Sequence, residues 1–282
     1  MFVGVPMKIH DEIADMVGRA AGTWTVSARH LRTDELVALG EHEWMNPASA
    51  VKLALLVMCA DLVDRQELDP HATVEIGPQC AVEGTGVLRF MAGARLTVAD
   101  LATLMVIVSD NVATNLVLER LGGAKEVSTW LSSRHLDGIE VTGPIDFTSD
   151  VGFARATAAG LRQVAETLRG DSTVLAPAAS DWAKERLFRQ QTAHFLSRRV
   201  PHNAHAWDFG IEMPVRAFTK YGAIPGVAAD VGLFEMTWAP EGGVWAVAVI
   251  GNGTEDLSSG PDDPGPALIA DIGELLFDRW GH

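Results

Sequence analysis

Hydrophobic and polar residues follow different periods in successive parts of this chain. Between Ile9 and Val17 the apolar side chains recur every three or four residues among acidic ones, which predicts an amphipathic first helix. From Thr23 to Arg29 the residues alternate and are rich in types that favour strands. Glu35–Leu39 follows after a polar turn, so the two segments together predict a hairpin.

The middle of the chain carries helical patterns. Thr97 and Asp100 have the spacing of a capping box, which opens a predicted helix over Leu101–Val108. A second helix is predicted over Asn111–Leu121, and Gly122-Gly123 ends it. A further helix has an apolar face of Leu161, Val164, Ala165 and Leu168.

Strand patterns return towards the C-terminus. Predicted strands cover Val215–Lys220, Asp230–Ala239 and Gly243–Gly251, and Pro240–Gly243 forms a turn between the last two. Ala267–Trp280 is a predicted helix. Because strands at both ends flank a helical middle, we expect an α+β fold with one antiparallel sheet built from both termini, flanking helices and an all-α lobe.

The pattern predicts a single domain over residues 1–282. Its α/β lobe would include about residues 1–45 and 205–282, and its helical lobe about residues 46–204. With 48% hydrophobic residues, the chain can bury a sizeable core.

The formal net charge of −15 argues against partners that need a basic surface, namely nucleic acid and anionic membranes. No stretch approaches the roughly 20 uncharged apolar residues of a membrane-spanning helix. The first 22 residues lack the cationic and apolar regions of a secretory signal, so a cytoplasmic location is predicted. The oligomeric state is not indicated.

Few residues suggest metal or redox chemistry. Cys59 and Cys80 allow a disulfide but do not require one. His202 and His205 have no glutamate between them, and no other Cys/His cluster suggests zinc. We therefore predict neither a metal site nor a cofactor.

The segment Ser49-Ala50-Val51-Lys52 carries the most specific chemical signal. Residues three apart share a helix face, so Lys52 can reach the Ser49 hydroxyl and act as its base. Apolar residues surround Lys52, and a lysine buried among them loses its charge readily. Two later segments, Ser109-Asp110-Asn111 and Lys220-Tyr221-Gly222, would add a second hydroxyl and a second cation. Together the three segments indicate a serine hydrolase.

In this order, S-x-x-K, S-D-N and a K-x-G segment resemble the motifs of class A β-lactamases and penicillin-binding serine hydrolases. The resemblance covers roughly residues 20 to 280 and implies a class A β-lactamase-like fold. It implies that Ser49 is the nucleophile and that Lys52 is the base. Ser109 would relay a proton to the leaving group, and Asn111 would bind the amide carbonyl of the acylated substrate. Asp110 is assigned to structure, as a helix cap.

The resemblance also assigns roles to the third segment. Lys220 would lie beside Ser109 and give the site a positive potential, while Gly222 would allow close approach of the substrate. The backbone N–H groups of Ser49 and Ala223 would bind the oxyanion. Tyr221 stands where threonine or serine is expected to bind a substrate carboxylate, so it is a candidate for changed substrate binding.

The interval between residues 134 and 157 lacks the E-x-x-L-N segment, whose glutamate activates the hydrolytic water in class A β-lactamases. Asp146 is the best substitute there. The expected function is that of a hydrolase or acyltransferase acting through acyl-Ser49 on a small ester, thioester or amide. The alternatives are a β-lactamase or D-Ala-D-Ala peptidase, and a slow-deacylating penicillin-binding sensor or inactive scaffold.

Overall fold

The structure is a computed structural model that describes residues 8–148, 152–238 and 243–281. The first segments form the helix α1 (Ile9–Gly18) and the antiparallel strands β1 (Thr23–His30) and β2 (Leu36–Leu39). The predicted amphipathic helix and hairpin are thus confirmed. In α1, Ile9 and Ile13 are buried, while Asp11 and Glu12 occupy its first turn.

The C-terminal part consists of β7 (Val215–Ile224), β8 (Val227–Met236), β9 (Val244–Asn252) and the helix α9 (Pro264–Trp280). β7 extends four residues beyond the predicted end because it pairs with β8 as far as Ile224 and Val227. The prediction missed the turn between these strands, where Gly226 has a φ of 77°. The predicted turn at residues 240–243 lies, except for Gly243, outside the described residues.

The large sheet has the strand order β2-β1-β9-β8-β7, and its neighbouring strands are antiparallel. β1 from the N-terminal part pairs with β9 from the C-terminal part along its whole length. The predicted α+β architecture, with one sheet built from both ends of the sequence, is confirmed. β7 lies at the edge of this sheet.

Helices fill the middle of the chain. Thr97 and Asp100 form the predicted capping box. Thr97 is the N-cap, and the helix begins at the next residue, Val98. The helices and short strands of this part are α2 (Lys52–Asp64), β3 (Thr73–Glu75), β4 (Arg95–Thr97), α3 (Val98–Ile107), α4 (Asn111–Arg120), α5 (Ala124–Ser133), β5 (Ile139–Val141), β6 (Ala154–Ala156), α6 (Ala158–Thr167), α7 (Pro177–Phe188) and α8 (Ala204–Asp208).

Each face of the large sheet packs against a different set of helices. Ala248 and Ile250 of β9 belong to the apolar core that contains α2. Val247 and Val249 belong to the core that contains α1 and α9. All of the first ten residues of α2 are buried, so this helix is the centre of the first core. The division into two lobes stays a prediction, since both cores share the sheet.

Within the three described stretches, no helix combines the length and the apolar composition that crossing a bilayer requires.

Candidate active site

Ser49 lies in a short 3₁₀ turn that leads into α2. The turn covers Ala48–Val51, and α2 begins at Lys52. Side chains three residues apart are eclipsed in 3₁₀ geometry, which places Ser49 and Lys52 on one side of the chain. The side chain of Asn252 holds the entry to this turn, because it bonds the N–H and the C=O of Asn46 at 2.9 Å each. The turn is therefore fixed to the end of β9.

Lys52 is fully buried and forms three hydrogen bonds. Its Nζ lies 2.8 Å from the Ser109 carbonyl oxygen, 3.1 Å from Ser109 Oγ and 2.9 Å from Asn111 Oδ1. The structure thus brings the lysine of the first motif together with both polar residues of the second. Among the hydrogen bonds of the described residues, none joins Lys52 Nζ to the Ser49 hydroxyl.

Burial lowers the pKa of Lys52 well below its ordinary value, and the nearby charge of Lys220 lowers it further. Asp110 acts in the opposite direction. A neutral amine has two N–H donors and one lone pair, so it cannot donate to three acceptors at once. In the neutral state the Ser109 hydroxyl can donate to Nζ, which makes this contact a path for a proton.

The second motif owes its position to backbone geometry. Ser109 is buried and has a φ of 55°, which turns the chain sharply between α3 and α4. One oxygen of Asp110 accepts hydrogen bonds from the N–H groups of Val87 (2.6 Å) and Leu88 (2.9 Å), and the other caps α4 through Ala113 N–H (2.9 Å). Asp110 therefore caps α4, which is the structural role predicted for it, and it also holds the backbone of Val87 and Leu88.

Asn111 borders the same cavity as Ser49. Its Oδ1 accepts from Lys52, and its Nδ2 donates to the Glu83 carbonyl at 2.8 Å. One N–H of Nδ2 is left over from these bonds. The predicted contact of Asn111 with a substrate carbonyl stays a prediction.

Gly222 brings β7 into contact with the Ser49 turn. A methyl group on Gly222 would lie 2.4 Å from the Pro47 carbonyl oxygen, 2.6 Å from Ala50 N and 2.7 Å from Ser49 N. Only glycine permits this approach. The next residue, Ala223, borders the cavity together with Ser49. This arrangement supports the predicted oxyanion pair of Ser49 and Ala223 N–H groups, which stays a prediction.

Lys220 is fully buried as well. Its Nζ donates a hydrogen bond to the Tyr221 carbonyl oxygen at 2.5 Å and lies 4.0 Å from the centroid of the Tyr221 ring. Burial lowers the pKa of Lys220 to about 7, although the carboxylate of Asp230 opposes the shift. In the described part of the chain Lys220 has no hydrogen bond to Ser109, so its predicted role as a direct neighbour of that hydroxyl is not matched by a contact.

The side chain of Tyr221 lies away from the cavity. It packs in the core that contains α1 and α9 and stacks on Phe195, with ring centroids 5.3 Å apart. Successive residues of a strand face opposite sides of the sheet. Since Gly222 faces the Ser49 turn, the side chain of Tyr221 lies on the other face. Tyr221 was predicted to be a substrate-binding residue, but the structure does not place its side chain with the others.

The cavity beside Ser49 has a volume of about 250 Å³. Asp146, the predicted substitute for the missing glutamate, borders it and is exposed. Its Oδ1 accepts hydrogen bonds from the N–H (2.8 Å) and hydroxyl (2.6 Å) of Thr148, and these bonds lower its pKa. The described residues that line the cavity are Asn46, Ala48, Ser49, Gly84, Thr85, Asn111, Ile145, Asp146, Phe147, Gly152, Phe153, Ala223 and Ile224.

Two residues that support the site, Thr85 and Asn115, were not predicted from the sequence. Thr85 Oγ1 donates to the Ser109 carbonyl at 2.7 Å, which is the carbonyl that Lys52 also bonds. Asn115 holds the backbone of Ile145 from both sides: Nδ2 donates to its C=O at 3.0 Å, and Oδ1 accepts from its N–H at 2.7 Å. The signal for Asn115 was its spacing of four residues from Asn111, which places both on one face of α4.

No grouping of three or more His, Cys, Asp or Glu side chains that could hold a metal ion occurs in the described stretches. His202, one of the two histidines that lack a glutamate between them, lies against the edge of β7. Its Nδ1 lies 3.2 Å from Ala217 N, and its ring contacts Phe188.

The fold and the family match over nearly the whole chain define a β-lactamase-like serine hydrolase. The model of the Beta-lactamase enzyme family, Beta-lactamase2, matches residues 8–280, and the chain belongs to this family. None of the curated proteins compared with the sequence matches it.

Solved structures of similar fold cover nearly the whole chain. PBP-A is 21% identical, with a TM-score of 0.80 over 96% of this chain and 95% of its own, and a mutant of it has been solved as an acyl-enzyme complex with penicillin G. A β-lactamase from Sphaerobacter thermophilus is 22% identical, with a TM-score of 0.81 over 96% of both chains. The ancestral class A β-lactamase GNCA is 21% identical, with a TM-score of 0.81 over 97% of this chain and 100% of its own. At these identities the likeness shows the fold.

Proposed function

We propose that this protein is a serine hydrolase or acyltransferase that forms an acyl-Ser49 intermediate from a small ester, thioester or amide. The observation that carries the proposal is the state of Lys52. Its amine is fully buried, its pKa is strongly lowered, and it lies one turn from Ser49, which borders a cavity. A lysine in such a setting is suited to act as a base, and packing of the fold does not require one there.

In the acylation step the Ser49 oxygen attacks the carbonyl carbon of the substrate while Lys52 takes the hydroxyl proton. The carbonyl electron pair moves to its oxygen, and the N–H groups of Ser49 and Ala223 stabilise the resulting oxyanion. The bond to the leaving group then breaks. The proton passes from Lys52 through the Ser109 hydroxyl, at 3.1 Å, to the leaving group. The charge of Lys220 assists by keeping Lys52 neutral.

In the second step water or another nucleophile attacks the acyl carbon and releases Ser49. Asp146 is a weak candidate for the base that activates this nucleophile, because two hydrogen bonds from Thr148 lower its pKa. We therefore expect slow hydrolysis of the acyl-Ser49 ester unless the acyl group is itself strongly activated towards nucleophiles. This expectation keeps a slow-deacylating penicillin-binding sensor open as an alternative, beside a β-lactamase or D-Ala-D-Ala peptidase.

The test is to trap and locate the acyl group. The protein is mixed with p-nitrophenyl acetate and, in a separate sample, with benzylpenicillin, quenched in acid at increasing times and measured by intact mass and peptide mapping. An acetyl group on the Ser49 peptide that appears and decays supports the proposal. The exposed Ser132 provides a control, since Ser132→Ala should acylate normally.

The penicillin sample separates the alternatives. No adduct or a long-lived one supports the proposed ester or amide chemistry, provided the acetyl adduct turns over. A penicilloyl adduct that forms and disappears within seconds identifies a β-lactamase. Permanent penicilloylation without ester turnover identifies a sensor, and the absence of any adduct on Ser49 from either compound rejects the acyl-serine mechanism.

A further inference from the structure

We infer that the cavity beside Ser49 accepts an uncharged, apolar acyl group, and that Phe147, Phe153 and Asp146 determine this preference. The inference rests on the proposed acyl-Ser49 chemistry and adds the substrate class to it. It follows from the side chains that form the cavity walls, from the charge of Asp146 and from the position of Lys220.

Four apolar side chains supply the walls of the cavity that can contact an acyl chain. Ile145 is almost fully buried, Phe153 is half-buried, and Ile224 is exposed at the edge of β7. Phe147 is 55% exposed although it borders the cavity. An apolar group bound against these side chains would remove them from water, which is favourable in proportion to the area buried.

The charge at the cavity is negative. Of the described residues that line it, Asp146 is the one with an ionisable side chain. Its lowered pKa keeps it ionised at neutral pH. A carboxylate on the acyl group would meet this like charge and would lose part of its hydration without gaining a cationic partner.

The cation of the third motif, Lys220, does not compensate for the charge of Asp146. Lys220 directs its Nζ to the Tyr221 carbonyl and to the face of the Tyr221 ring, and it is not among the residues that line the cavity. Tyr221, which stands where threonine or serine is expected, stacks its ring on Phe195. Neither residue presents a partner for a substrate carboxylate, so the arrangement favours neutral substrates.

The first measurement is kcat/KM for p-nitrophenyl esters of increasing chain length, from acetate to decanoate. We expect a rise of about fourfold for each added methylene, the equivalent of about 0.8 kcal/mol, until the cavity is full. Phe147→Ala should flatten this series because it removes part of the wall. Phe209→Ala is the matched control, since Phe209 is 81% exposed and does not line the cavity, and it should leave the series unchanged.

The second measurement compares the p-nitrophenyl half-ester of glutaric acid with its methyl ester. We expect the wild type to prefer the neutral compound roughly tenfold or more in kcat/KM. Asp146→Asn should reduce this ratio, and added salt should reduce it in the wild type because Asp146 is exposed. Asp181→Asn, at an acid on α7 that is 80% exposed, should leave the ratio as it is.

Two results would overturn the inference: a chain-length series that is flat in the wild type, or an equal or greater kcat/KM for the acid. Either could occur while Ser49 is acylated normally, and then the acyl-serine mechanism would stand without this specificity. If no ester acylates Ser49 at all, the proposed function itself fails. The two failures are therefore distinguishable.

Discussion

The Lys220 ammonium nitrogen lies 4.0 Å from the centroid of the Tyr221 ring, and it donates a hydrogen bond to the carbonyl oxygen of the same residue. One residue therefore supplies both an aromatic face and an acceptor to the buried cation. Both contacts stabilise the charged form of Lys220, while burial destabilises it. Burial lowers the pKa of Lys220 to about 7 against the opposing charge of Asp230, and at this pKa small changes in pH alter the charge of Lys220.

Activity should therefore fall as the pH rises through about 7, since Lys220 is protonated below this pKa and neutral above it. Loss of its charge removes the positive potential that helps to stabilise the oxyanion formed in the acylation step. In Lys220→Arg the fall should move to much higher pH, because arginine stays protonated. The measurement is the pH profile of kcat/KM on a neutral ester. If kcat/KM falls at the same pH in both proteins, the fall is due to the titration of a group other than residue 220.

Tyr221→Thr should lower stability without changing selectivity. Loss of the ring that stacks on Phe195 leaves a cavity, which costs about 2–4 kcal/mol in the free energy of unfolding. Because this side chain does not border the substrate cavity, kcat/KM should change equally for a matched acid and methyl ester. Denaturant unfolding and paired kinetics check both statements, and Tyr221→Phe is the control that keeps the stacking. A selective gain for the acid would place Tyr221 at the substrate.

Ser49→Ala should abolish the hydrolysis of p-nitrophenyl acetate. The half-buried hydroxyl forms no side-chain hydrogen bond among the described residues, so its loss should change the free energy of unfolding by no more than about 0.5 kcal/mol. Steady-state kinetics with circular dichroism on the same sample makes the test, with Ser132→Ala as the control. Full activity in a folded Ser49→Ala protein would reject Ser49 as the nucleophile.

Gly222→Ala should impair catalysis more than a surface glycine change does. The added methyl would lie 2.4 Å from the Pro47 carbonyl oxygen, so β7 and the Ser49 turn must move apart. A displacement of this size at the oxyanion site can reduce kcat/KM about a hundredfold. Gly18→Ala is the control, since a methyl there meets nothing within 4 Å. Unchanged kinetics in Gly222→Ala would contradict the oxyanion assignment.

Benzylpenicillin should give at most a long-lived adduct, because Asp146 is the one carboxylate among the described residues that line the cavity. Ile145→Glu should shorten the lifetime of such an adduct, since a carboxyl group at this nearly buried position has its pKa raised by desolvation and becomes a better base. The measurement is the decay of the penicilloyl mass. Ile145→Gln has similar size without the base and should show no acceleration, and equal decay in both variants would refute the argument.

The fold was largely predictable because its signals are local. The alternation of apolar residues and the turn residues predict the β1–β2 hairpin and the strands at both ends of the sequence. The spacing of Thr97 and Asp100 predicts the capping box. The length of β7 was not predicted, because pairing with β8 extends it past Lys220 to a turn at Gly226. The strand boundary depended on the partner strand.

The site was predictable only as a set of residues. Spacing places Ser49 and Lys52 on one face, but the hydrogen bonds of Lys52 go to residues nearly 60 positions away in the sequence. The direction of the Tyr221 side chain depends on which face of β7 meets the Ser49 turn. Phe147 and Phe153, which form walls of the cavity, belong to a loop without a periodic pattern. These features depend on tertiary packing.

The bonds between Asn115 and Ile145 use only the backbone N–H and C=O of Ile145. The amide of Asn115 therefore holds this segment in place whatever side chain residue 145 carries. A substitution at position 145 can thus change the side chain that borders the cavity while the backbone of the loop keeps its position. Evolution or protein engineering can therefore alter how long an acyl group stays on Ser49 without rebuilding the scaffold around it.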